Sequence, residues 1–501
     1  MSRSRSRNVA AGAPARPEDE RLKAWPTIMY GIQHVLTMYG GIIAPPLVVG
    51  QAAGLSTAEI GVLIACCLFI GGLATILQTL GVPFFGSQLP LVQGVSFSGV
   101  ATMMAILDGG GGLPRVFGAV IASSVIGLII APFFAMIVKF FPPVVTGVVI
   151  TAIGMSLLPV AAGWAMGSDP DAPGYGSAAN IGLAALSLGL IIVLSKFGTP
   201  AISRLSILLS LVLSTIIAAL IGMADFSEVL TGPVFAIPTP FAFGMPTFDI
   251  AAIISMLIVI LVTFTETTAD ILAVGEVVRT KVDSKRIAAG LRADMLSSAI
   301  SPVFNSFTQS AFAQNVGLVA ITKVSSRFVV ATGGVVLVVL GVLPVLGRVV
   351  AAVPTPVLGG VGIALFGTVA ASGINTLSKV DYRNNLNLII IAISLSFGML
   401  PLVQPDIYDD FPSWFQVIFQ SGISSATVMA VLLNVVFNHI GRRSTSEGSV
   451  VASTPARFVS EDVLDLLEEG DHVVDGRLLN TQGIEVQTVR ARAEDDERSS
   501  E

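Results

Sequence analysis

The chain has 501 residues, of which 53% are hydrophobic and only 12% are charged, and its formal net charge is −6. Its mean hydropathy is +0.83, whereas a soluble domain carries about 25% charged residues. This composition excludes an ordinary soluble protein and predicts an all-α protein that crosses a membrane many times. The two cysteines, Cys66 and Cys67, are adjacent in an apolar run, a spacing that suits neither a disulfide framework nor a metal site.

The tail at 1–25 begins with alternating serine and arginine at Ser2–Arg7, and no apolar stretch directly follows these residues. They therefore predict a retained cytoplasmic tail and not a cleaved signal peptide. Fourteen apolar runs follow, at 27–50, 59–80, 89–107, 116–140, 142–166, 178–196, 201–222, 248–275, 286–305, 311–323, 326–350, 355–377, 384–403 and 414–440. A straight membrane helix needs about 20 residues. The third and tenth runs are too short or too interrupted to be simple helices.

The charges between these runs indicate their orientation. The even-numbered connections carry Lys139, Lys196, Arg204, Arg279, Lys281, Lys285, Arg286, Lys323, Arg327, Lys379, Arg383, Arg442 and Arg443. The odd-numbered connections carry only Arg115 and Arg348 as basic residues, with Asp108, Asp169, Asp171, Asp225, Glu228, Asp406, Asp409 and Asp410. Cytoplasmic loops are enriched in Lys and Arg. The pattern therefore predicts fourteen crossings with both termini in the cytoplasm.

Fourteen crossings divide into seven plus seven, which predicts an inverted repeat because an odd number of crossings reverses the second copy. The third and tenth runs then hold equivalent places, and paired interrupted segments indicate a transport site near the membrane midplane. The first interruption is expected at Gly94–Ser98, where Val95 and Phe97 favour extended backbone. The second is expected at Gln314–Gly317, with opened backbone at membrane depth. We expect one short strand-like piece from each half, the two meeting near the membrane centre. A short loop at the membrane surface is the alternative.

Two carboxylates lie within the eighth run. Glu266 and Asp270 are four residues apart, a spacing that places them on one face of a helix. Charged side chains in lipid are costly and are functional by default. Because Glu266 lies in the middle of the run, a helix-end role does not explain it. We therefore expect this side chain to bind substrate or a proton.

Two other polar residues in apolar runs, Asp294 and His34, have more than one explanation. Asp294 follows Arg292 by two residues in the ninth run, so it is predicted either to pair with that arginine or with free backbone, or to carry a proton. His34 follows Gln33 in the first run. For His34, a satisfied packing role is favoured over contact with a ligand.

Several segments, in this order along the chain, resemble the nucleobase-ascorbate transporter family over residues 25–440. They are Gln33–Gly41, the Ser96–Phe97 interruption, the Glu266 and Asp270 pair, Asp294, and Gln314–Lys323. The last matches the family signature: an amide or acid, Asn, any residue, Gly, four residues, Thr, then a basic residue or Gly. Xanthine and urate permeases of the family begin this signature with Gln and uracil permeases with Glu. The resemblance therefore implies that Gln314 recognises an oxidised purine.

Two departures from the family pattern bear on which purine is bound. Val316 stands where many purine transporters of the family have a second Asn. The sequence Phe307–Ser310 replaces the more usual Phe-Pro that begins the approach to the signature. Neither departure alters the resemblance to the family as a whole.

The resemblance implies a secondary active transporter, not an enzyme, that imports xanthine or uric acid across the plasma (inner) membrane by proton symport. Sodium coupling stays open, and no cofactor or metal is expected. A core domain is expected to move like an elevator against a gate domain in a homodimer joined through the gates. Membrane lipid is a further expected partner of the protein, and no nucleic acid is expected to bind. The expected domains are a tail at 1–25, core at 26–141 and 248–350, gate at 142–223 and 351–440, and an acidic cytoplasmic tail at 441–501.

The resemblance also assigns roles to residues. The expected substrate contacts are Glu266, Gln314, Phe97, Ser96, Asn315, Val316 and Gly317, and the residues expected to support the site or couple protons are Asp270, Asp294, His34 and Gln33. The chemistry agrees, because an oxidised purine alternates N–H donors with carbonyl acceptors. Glu266 supplies an acceptor and Gln314 an amide that both donates and accepts. Phe97 offers a ring for stacking, and a desolvated carboxyl group can take up a proton.

Alternative functions stay open at this point. One is a uracil permease of the same family, and another is an anion transporter of the same architecture, because fold does not settle substrate. Anion carriers place basic residues or helix N-termini at the site, whereas this chain offers two carboxylates and an amide. An intramembrane enzyme is disfavoured because no closely spaced aspartates mark a metal or diphosphate site. The tail from about residue 444 is predicted to be disordered, apart from one amphipathic helix at 461–469.

Overall fold

The computed structural model describes residues 16–134, 142–227, 229, 233–382, 385–439, 472–474 and 477–479. The chain divides into two units, Met1–Ser453 and Thr454–Glu501. In the second unit, β3 (His472–Val474) and β4 (Arg477–Leu479) pair antiparallel. The expectation of disorder is therefore wrong for these two strands. The helix predicted at 461–469 lies outside the described residues.

The first half of the larger unit contains α1 (Ala24–Ala52), α2 (Thr57–Leu80), β1 (Gln93–Val95), α3 (Val100–Asp108), α4 (Gly112–Ile130), α5 (Pro143–Ser156), α6 (Leu158–Met166), α7 (Ala178–Phe197), α8 (Pro200–Arg204) and α9 (Ser206–Leu220). Its second half contains α10 (Ile250–Val278), α11 (Ser284–Ile300), β2 (Gln309–Ala311), α12 (Ala313–Thr322), α13 (Arg327–Gly341), α14 (Pro344–Ala351), α15 (Thr355–Leu377), α16 (Asn385–Val403), α17 (Ser413–Phe419) and α18 (Gly422–Asn434). Short 3₁₀ turns at Pro17–Asp19, Phe97–Gly99, Ala131–Phe133, Ser301–Phe304 and Pro405–Tyr408 and a π turn at Val435–His439 complete the described helical structure.

These elements follow the predicted apolar runs. In the part of the chain that the structure describes, each run coincides with one helix, with consecutive helices, or, for the third and tenth runs, with a strand followed by a helix. Within the described residues, eight helical segments are long and apolar enough to cross a membrane, and a ninth is added if α13 and α14 count as one. Fourteen crossings therefore stay a prediction.

The eleventh run was expected to be one span, yet α13 and α14 meet at an angle of 80°. Pro344 is at the start of α14. Proline has no backbone N–H and clashes with the preceding turn, so a helix is interrupted before it. Leu343 and Val342 consequently form the bend between the two helices.

The helices pack in two groups within the larger unit. In the first group, α2 packs on α13 and α14, α1 on α13, and α4 on α10 and α11. In the second, α15 packs on α5, α6 and α7, while α16 and α18 pack on each other and on α5. Glycines allow close crossings: a Cβ atom at Gly72 would lie 2.5 Å from the Gly334 carbonyl oxygen, and one at Gly154 would lie 2.3 Å from the Ala370 nitrogen.

The two groups correspond to the helices assigned to the predicted core and gate domains. Between them, α10 contacts α17 and α18. The hydroxyl of Thr102 on α3 lies 3.0 Å from that of Ser421, the residue that precedes α18. The domain boundaries themselves stay a prediction.

The segment before α1 is bound to the first group through two acidic residues. Glu18 is fully buried, and its Oε1 lies 2.5 Å from Nη2 of Arg286 on α11. Asp19 pairs with Arg327 at the start of α13, at 2.7 Å. The backbone carbonyl of Glu20 accepts a hydrogen bond of 2.6 Å from Ser326. This segment therefore joins α11 and α13 to one another.

We expect Glu18→Ala to destabilise the protein by about 2 kcal/mol, because removing one member of a buried ion pair leaves the other without its partner. Arg286 keeps the carbonyl oxygens of Ser87 and Gln88 as acceptors, so the effect is at the low end for such pairs. The measurement is the melting temperature in detergent. Glu20→Ala is the matched control, because only its backbone makes the contact described above. Equal melting temperatures for both variants would contradict the role of Glu18.

Candidate functional site

The two strands of the larger unit meet as an antiparallel pair. The register places Gln93 opposite Ala311, Gly94 opposite Ser310, and Val95 opposite Gln309. One hydrogen bond on each side extends the pairing, from Ser96 N to Thr308 O at 2.8 Å and from Phe312 N to Val92 O at 3.1 Å. The structure therefore confirms that each half contributes one short strand and that the two strands meet. We call this pair the strand crossing.

Equivalent helices hold the outer edges of the strand crossing. The hydroxyl of Thr75 on α2 accepts from Gln93 N at 2.9 Å and lies 3.3 Å from Gln93 O. In the other half, the hydroxyl of Ser298 on α11 accepts from Gln309 N at 2.8 Å and lies 3.4 Å from Gln309 O. These helices correspond to the second and ninth runs, which are equivalent in a seven-plus-seven repeat. The same contact thus recurs in both halves.

The second interruption lies before the position expected from the sequence. The opened backbone was predicted at Gln314–Gly317, but Ala313–Thr322 is helical and Asn315 N already donates to Phe312 O at 2.9 Å. The prediction is wrong at this point because alanine, leucine and glutamine favour helix. The extended backbone lies at Gln309–Ala311 and continues to Phe312.

The first interruption also differs in detail. Phe97 was expected in extended backbone, but it begins the turn Phe97–Gly99, and Ser96 caps that turn by accepting a hydrogen bond from Ser98 N. Ser96 is buried, and its own N–H is used in the strand crossing. The backbone N–H groups of Ser96 and Asn315, expected to face substrate, are thus engaged within the protein. Their predicted role as substrate contacts is not tested by this geometry.

Glu266 lies beside the strand crossing, on α10. Its Oε2 atom accepts a hydrogen bond of 2.6 Å from Ser98 Oγ. The side chain is half-buried, and Oε1 forms no hydrogen bond within the described residues. Asp270, one turn further along α10, is also half-buried and forms no hydrogen bond in the same part of the chain. One oxygen of Glu266 is therefore available as an acceptor.

Gln314 and Gly317 lie on one side of α12, which packs against α10. Both residues are exposed, and a Cβ atom at Gly317 would have no neighbour within 4 Å. The amide of Gln314 forms no hydrogen bond with the described residues, and Val316 is half-buried. This side of α12 therefore leaves space and an amide group for a ligand.

Asn315 points the other way and connects three segments. Its side-chain oxygen is hydrogen-bonded to Nδ1 of His34 on α1, and its Nδ2 donates to Pro90 O at 2.9 Å. Asn315 and His34 are both 2% exposed. The packing role preferred for His34 agrees with this contact. Gln33, its neighbour, is half-buried and its side chain has no hydrogen bond within the described chain.

Asp294 on α11 accepts two hydrogen bonds. Thr267 Oγ1 donates to one carboxylate oxygen at 2.6 Å, and Gln78 Nε2 donates to the other at 3.3 Å. Thr267 also lies 3.4 Å from Ala311 N of β2. No ion pair joins Asp294 to Arg292 within the described residues, so the predicted pairing with that arginine is wrong. Residues only two positions apart on a helix face different directions.

We expect Asp294→Ala to destabilise the protein by about 2 to 6 kcal/mol, because two buried donors lose their acceptor and each such loss costs about 1 to 3 kcal/mol. The donors are the hydroxyl of Thr267 and the side-chain amide of Gln78. Melting in detergent measures the loss. Ser301→Ala serves as a control, since the hydroxyl of Ser301, the group that this variant removes, donates to Ser297 O of its own chain segment. A melting temperature equal to that of the control would contradict this role of Asp294.

The structure adds aromatic and polar contacts that the sequence did not reveal. The ring of Phe97 lies 6.2 Å from Phe312 and 6.2 Å from Phe366 on α15. Phe366 belongs to the second group of helices, so this contact joins the two groups. The predicted interruption at Gly94–Ser98 was the only signal in the sequence for Ser98. The sequence carried no signal for Phe366.

Metal-ligating side chains and thiols of the described residues lie as follows. Within them, no three His, Cys, Asp or Glu side chains are placed to hold a metal ion. Cys66 and Cys67 are buried free thiols. The chemistry near the strand crossing is therefore that of carboxylate, hydroxyl and amide groups.

Comparison with known proteins identifies the family. A family model described as a permease family matches residues 26–407. The chain belongs to the nucleobase-ascorbate transporter family. It is 39% identical over 444 residues to the uric acid transporter UacT of Escherichia coli, and the aligned region covers 87% of this chain and 92% of that protein. It is 38% identical over 412 residues to the xanthine permease of Bacillus subtilis, with 82% of this chain and 94% of that permease covered.

Solved structures share the fold at low sequence identity. The transmembrane domain of the cyanobacterial bicarbonate transporter BicA matches with a TM-score of 0.53 and 16% identity, over 83% of this chain and 99% of that one. The murine anion transporter Slc26a9 in its inward-facing state matches with a TM-score of 0.56 and 14% identity, over 83% of this chain and 69% of that one. The predicted fold class is confirmed: a helical membrane protein with two inverted halves and a core and gate architecture.

Proposed function

We propose that this chain imports an oxidised purine, xanthine or uric acid, by secondary active transport. The single observation that carries the proposal is the Glu266 carboxylate held beside the strand crossing, in a chain 38 to 39% identical to a uric acid transporter and a xanthine permease. Those relatives are named as transporters and permeases, in agreement with a protein that is not an enzyme. The described chemistry supports the same substrate class.

The proposed site uses Glu266 and Gln314 on neighbouring helices. The free Oε1 of Glu266 accepts a ring N–H, while the amide of Gln314 pairs with an adjacent carbonyl and N–H of the base. Phe97 lies against the flat face of the ring. A site of this kind rejects analogues that leave its polar groups unpaired, because each buried unpaired group costs about 1 to 3 kcal/mol.

Proton symport is the proposed coupling. Glu266 and Asp270 are the two carboxyl groups on one face of α10, and neither forms an ion pair within the described residues. A proton bound there neutralises a charge that is costly in the membrane and travels with the substrate. Asp294 already accepts two hydrogen bonds, so it supports the site in this proposal and does not carry the proton.

The transport movement is proposed as an elevator, in which the first helix group carries the strand crossing past the second. The contact between Phe97 and Phe366 lies on the surface where the two groups would slide. Further parts of the proposal are a homodimer joined through the second group, a location in the plasma (inner) membrane, and cytoplasmic termini. Cross-linking of single cysteines introduced into the second group tests the dimer.

The test of function is uptake of radiolabelled xanthine by cells that lack their own purine permeases and express this chain. Unlabelled urate, uracil, ascorbate and bicarbonate serve as competitors. A protonophore and replacement of sodium test the coupling. We expect urate to block uptake, uracil and bicarbonate to leave it unchanged, and the protonophore to abolish it.

Each alternative predicts a different result. Competition by uracil alone would identify a uracil permease, and Gln314 would then have misidentified the ring. Loss of uptake on removal of sodium, with no effect of the protonophore, would replace proton by sodium coupling. If the cells took up bicarbonate and no base, the chain would be an anion transporter like those that share its fold.

A further inference from the structure

A serine that the sequence reasoning did not single out contacts the carboxylate of Glu266. Ser98 is fully buried, and its hydroxyl donates to Glu266 Oε2 at 2.6 Å. The hydroxyl of Ser96 donates to Ser98 Oγ at 3.2 Å, and Ser98 N donates back to Ser96 Oγ at 3.3 Å. Because Ser98 Oγ receives a hydrogen bond from Ser96, its own proton is directed to the carboxylate.

The register of the strand crossing gives Ser98 a counterpart. Gln93 and Gln309 begin the two strands and make the same contact with a helix hydroxyl in each half. Ser98 is five residues after Gln93, and Gln314 is five residues after Gln309. The residue at this position in each half therefore follows its strand by the same distance. In the second half this residue is Gln314, whose amide is proposed to bind the base. In the first half it is Ser98, which binds the Glu266 carboxylate that is also proposed to bind the base.

We propose that Ser98 is a positioning residue for substrate recognition, acting through Glu266. By donating to Oε2, the serine hydroxyl fixes the rotation of the carboxylate about the Cγ–Cδ bond of Glu266. Oε1 then points in one direction. Ser96 is anchored by its backbone hydrogen bond to Thr308, so the orientation of the carboxylate is tied to the strand crossing. This inference rests on the proposed function and adds a determinant of affinity to it.

The test compares transport kinetics of Ser98→Ala with those of the wild type. We expect KM for xanthine to rise about tenfold, equivalent to about 1.4 kcal/mol, with Vmax per transporter in the membrane changed less than about twofold. Such a split indicates lost binding shared by ground and transition states. Ser98→Thr keeps a hydroxyl on the same carbon and is expected to restore KM to within about threefold of the wild type.

Ser123→Ala is the matched control. Ser123 is also a fully buried serine, but its hydroxyl donates to Val120 O of its own helix, α4. We expect its KM to equal that of the wild type. A wild-type KM for Ser98→Ala, in cells where the wild type transports xanthine, would overturn this inference alone. Loss of Vmax in Ser98→Ala and in Ser98→Thr alike would also overturn it, because that pattern indicates a role in folding only.

A wild-type chain that takes up no purine at all would overturn the proposed function, and this inference with it. The two failures are therefore distinguished by the wild-type measurement. Immunoblots of membrane fractions give the amount of each variant, so that KM and Vmax refer to equal transporter.

Discussion

Glu266→Gln is expected to reduce the affinity for xanthine about 100-fold, which corresponds to about 2.8 kcal/mol. In the wild type, one carboxylate oxygen accepts from Ser98 at 2.6 Å, and the other is left for a ring N–H. In the glutamine variant, the amide oxygen keeps the serine and the NH₂ group faces the ring N–H, so two donors meet. A hydrogen bond to a charged group contributes about 1.5 to 3 kcal/mol, which accounts for the expected loss.

Binding of labelled xanthine to purified protein measures this loss separately from transport. Glu276→Gln is the matched control, because Glu276 lies on the same helix and is exposed. We expect wild-type affinity in that variant. If Glu266→Gln still accumulated xanthine against its gradient with an unchanged pH dependence, Glu266 would have no part in proton coupling. Wild-type affinity in Glu266→Gln would remove it from the site.

The sequence predicted the order and type of the membrane elements well because apolar length and loop charge are local signals. The third and tenth runs stood out because they are short and because Gly94–Ser98 in one and Gln314–Gly317 in the other suggested interrupted helices. Their pairing followed from the symmetry of an inverted repeat. The contacts that stabilise the pair, such as Thr75 with Gln93 and Ser298 with Gln309, join residues too distant in sequence for any periodicity to reveal.

The second interruption was misplaced because two local signals were read as one. Gln314 and Asn315 are polar residues before a glycine, which suggested opened backbone, but polar side chains do not themselves break a helix. Their amides serve different purposes here: Gln314 is exposed, while Asn315 is buried with His34 and Pro90 as partners. The extended stretch before them carries polar residues that also occur in loops, so composition did not mark it.

Of the alternatives predicted for Asp294, the ion pair with Arg292 was wrong for a related reason. Sequence proximity made the arginine the nearest candidate, but residues two apart on a helix point in different directions. The actual partners, Gln78 and Thr267, come from two other helices. Packing between distant helices decided the contact, and a single sequence does not reveal such packing.

Asn315→Ala is expected to reduce xanthine uptake about 30-fold, because a buried group left without its hydrogen bond costs about 1 to 3 kcal/mol. The buried polar atoms that lose their partner in this variant are Nδ1 of His34 and the carbonyl oxygen of Pro90. Both lie in the segments that position α12, so their loss also displaces the amide of Gln314. Asn180→Ala is the matched control: that side chain donates to the carbonyl groups of Met166, at the end of α6, and of Gly174, each at 2.9 Å. It is expected to lower the melting temperature with less than about a threefold change in uptake.

In a double-mutant cycle, His34→Ala should have little further effect once Asn315 is alanine, because the effects of substituting two contacting residues are not additive. Additive losses would show that His34 and Asn315 act independently, and the proposed connection between α1 and α12 would be wrong.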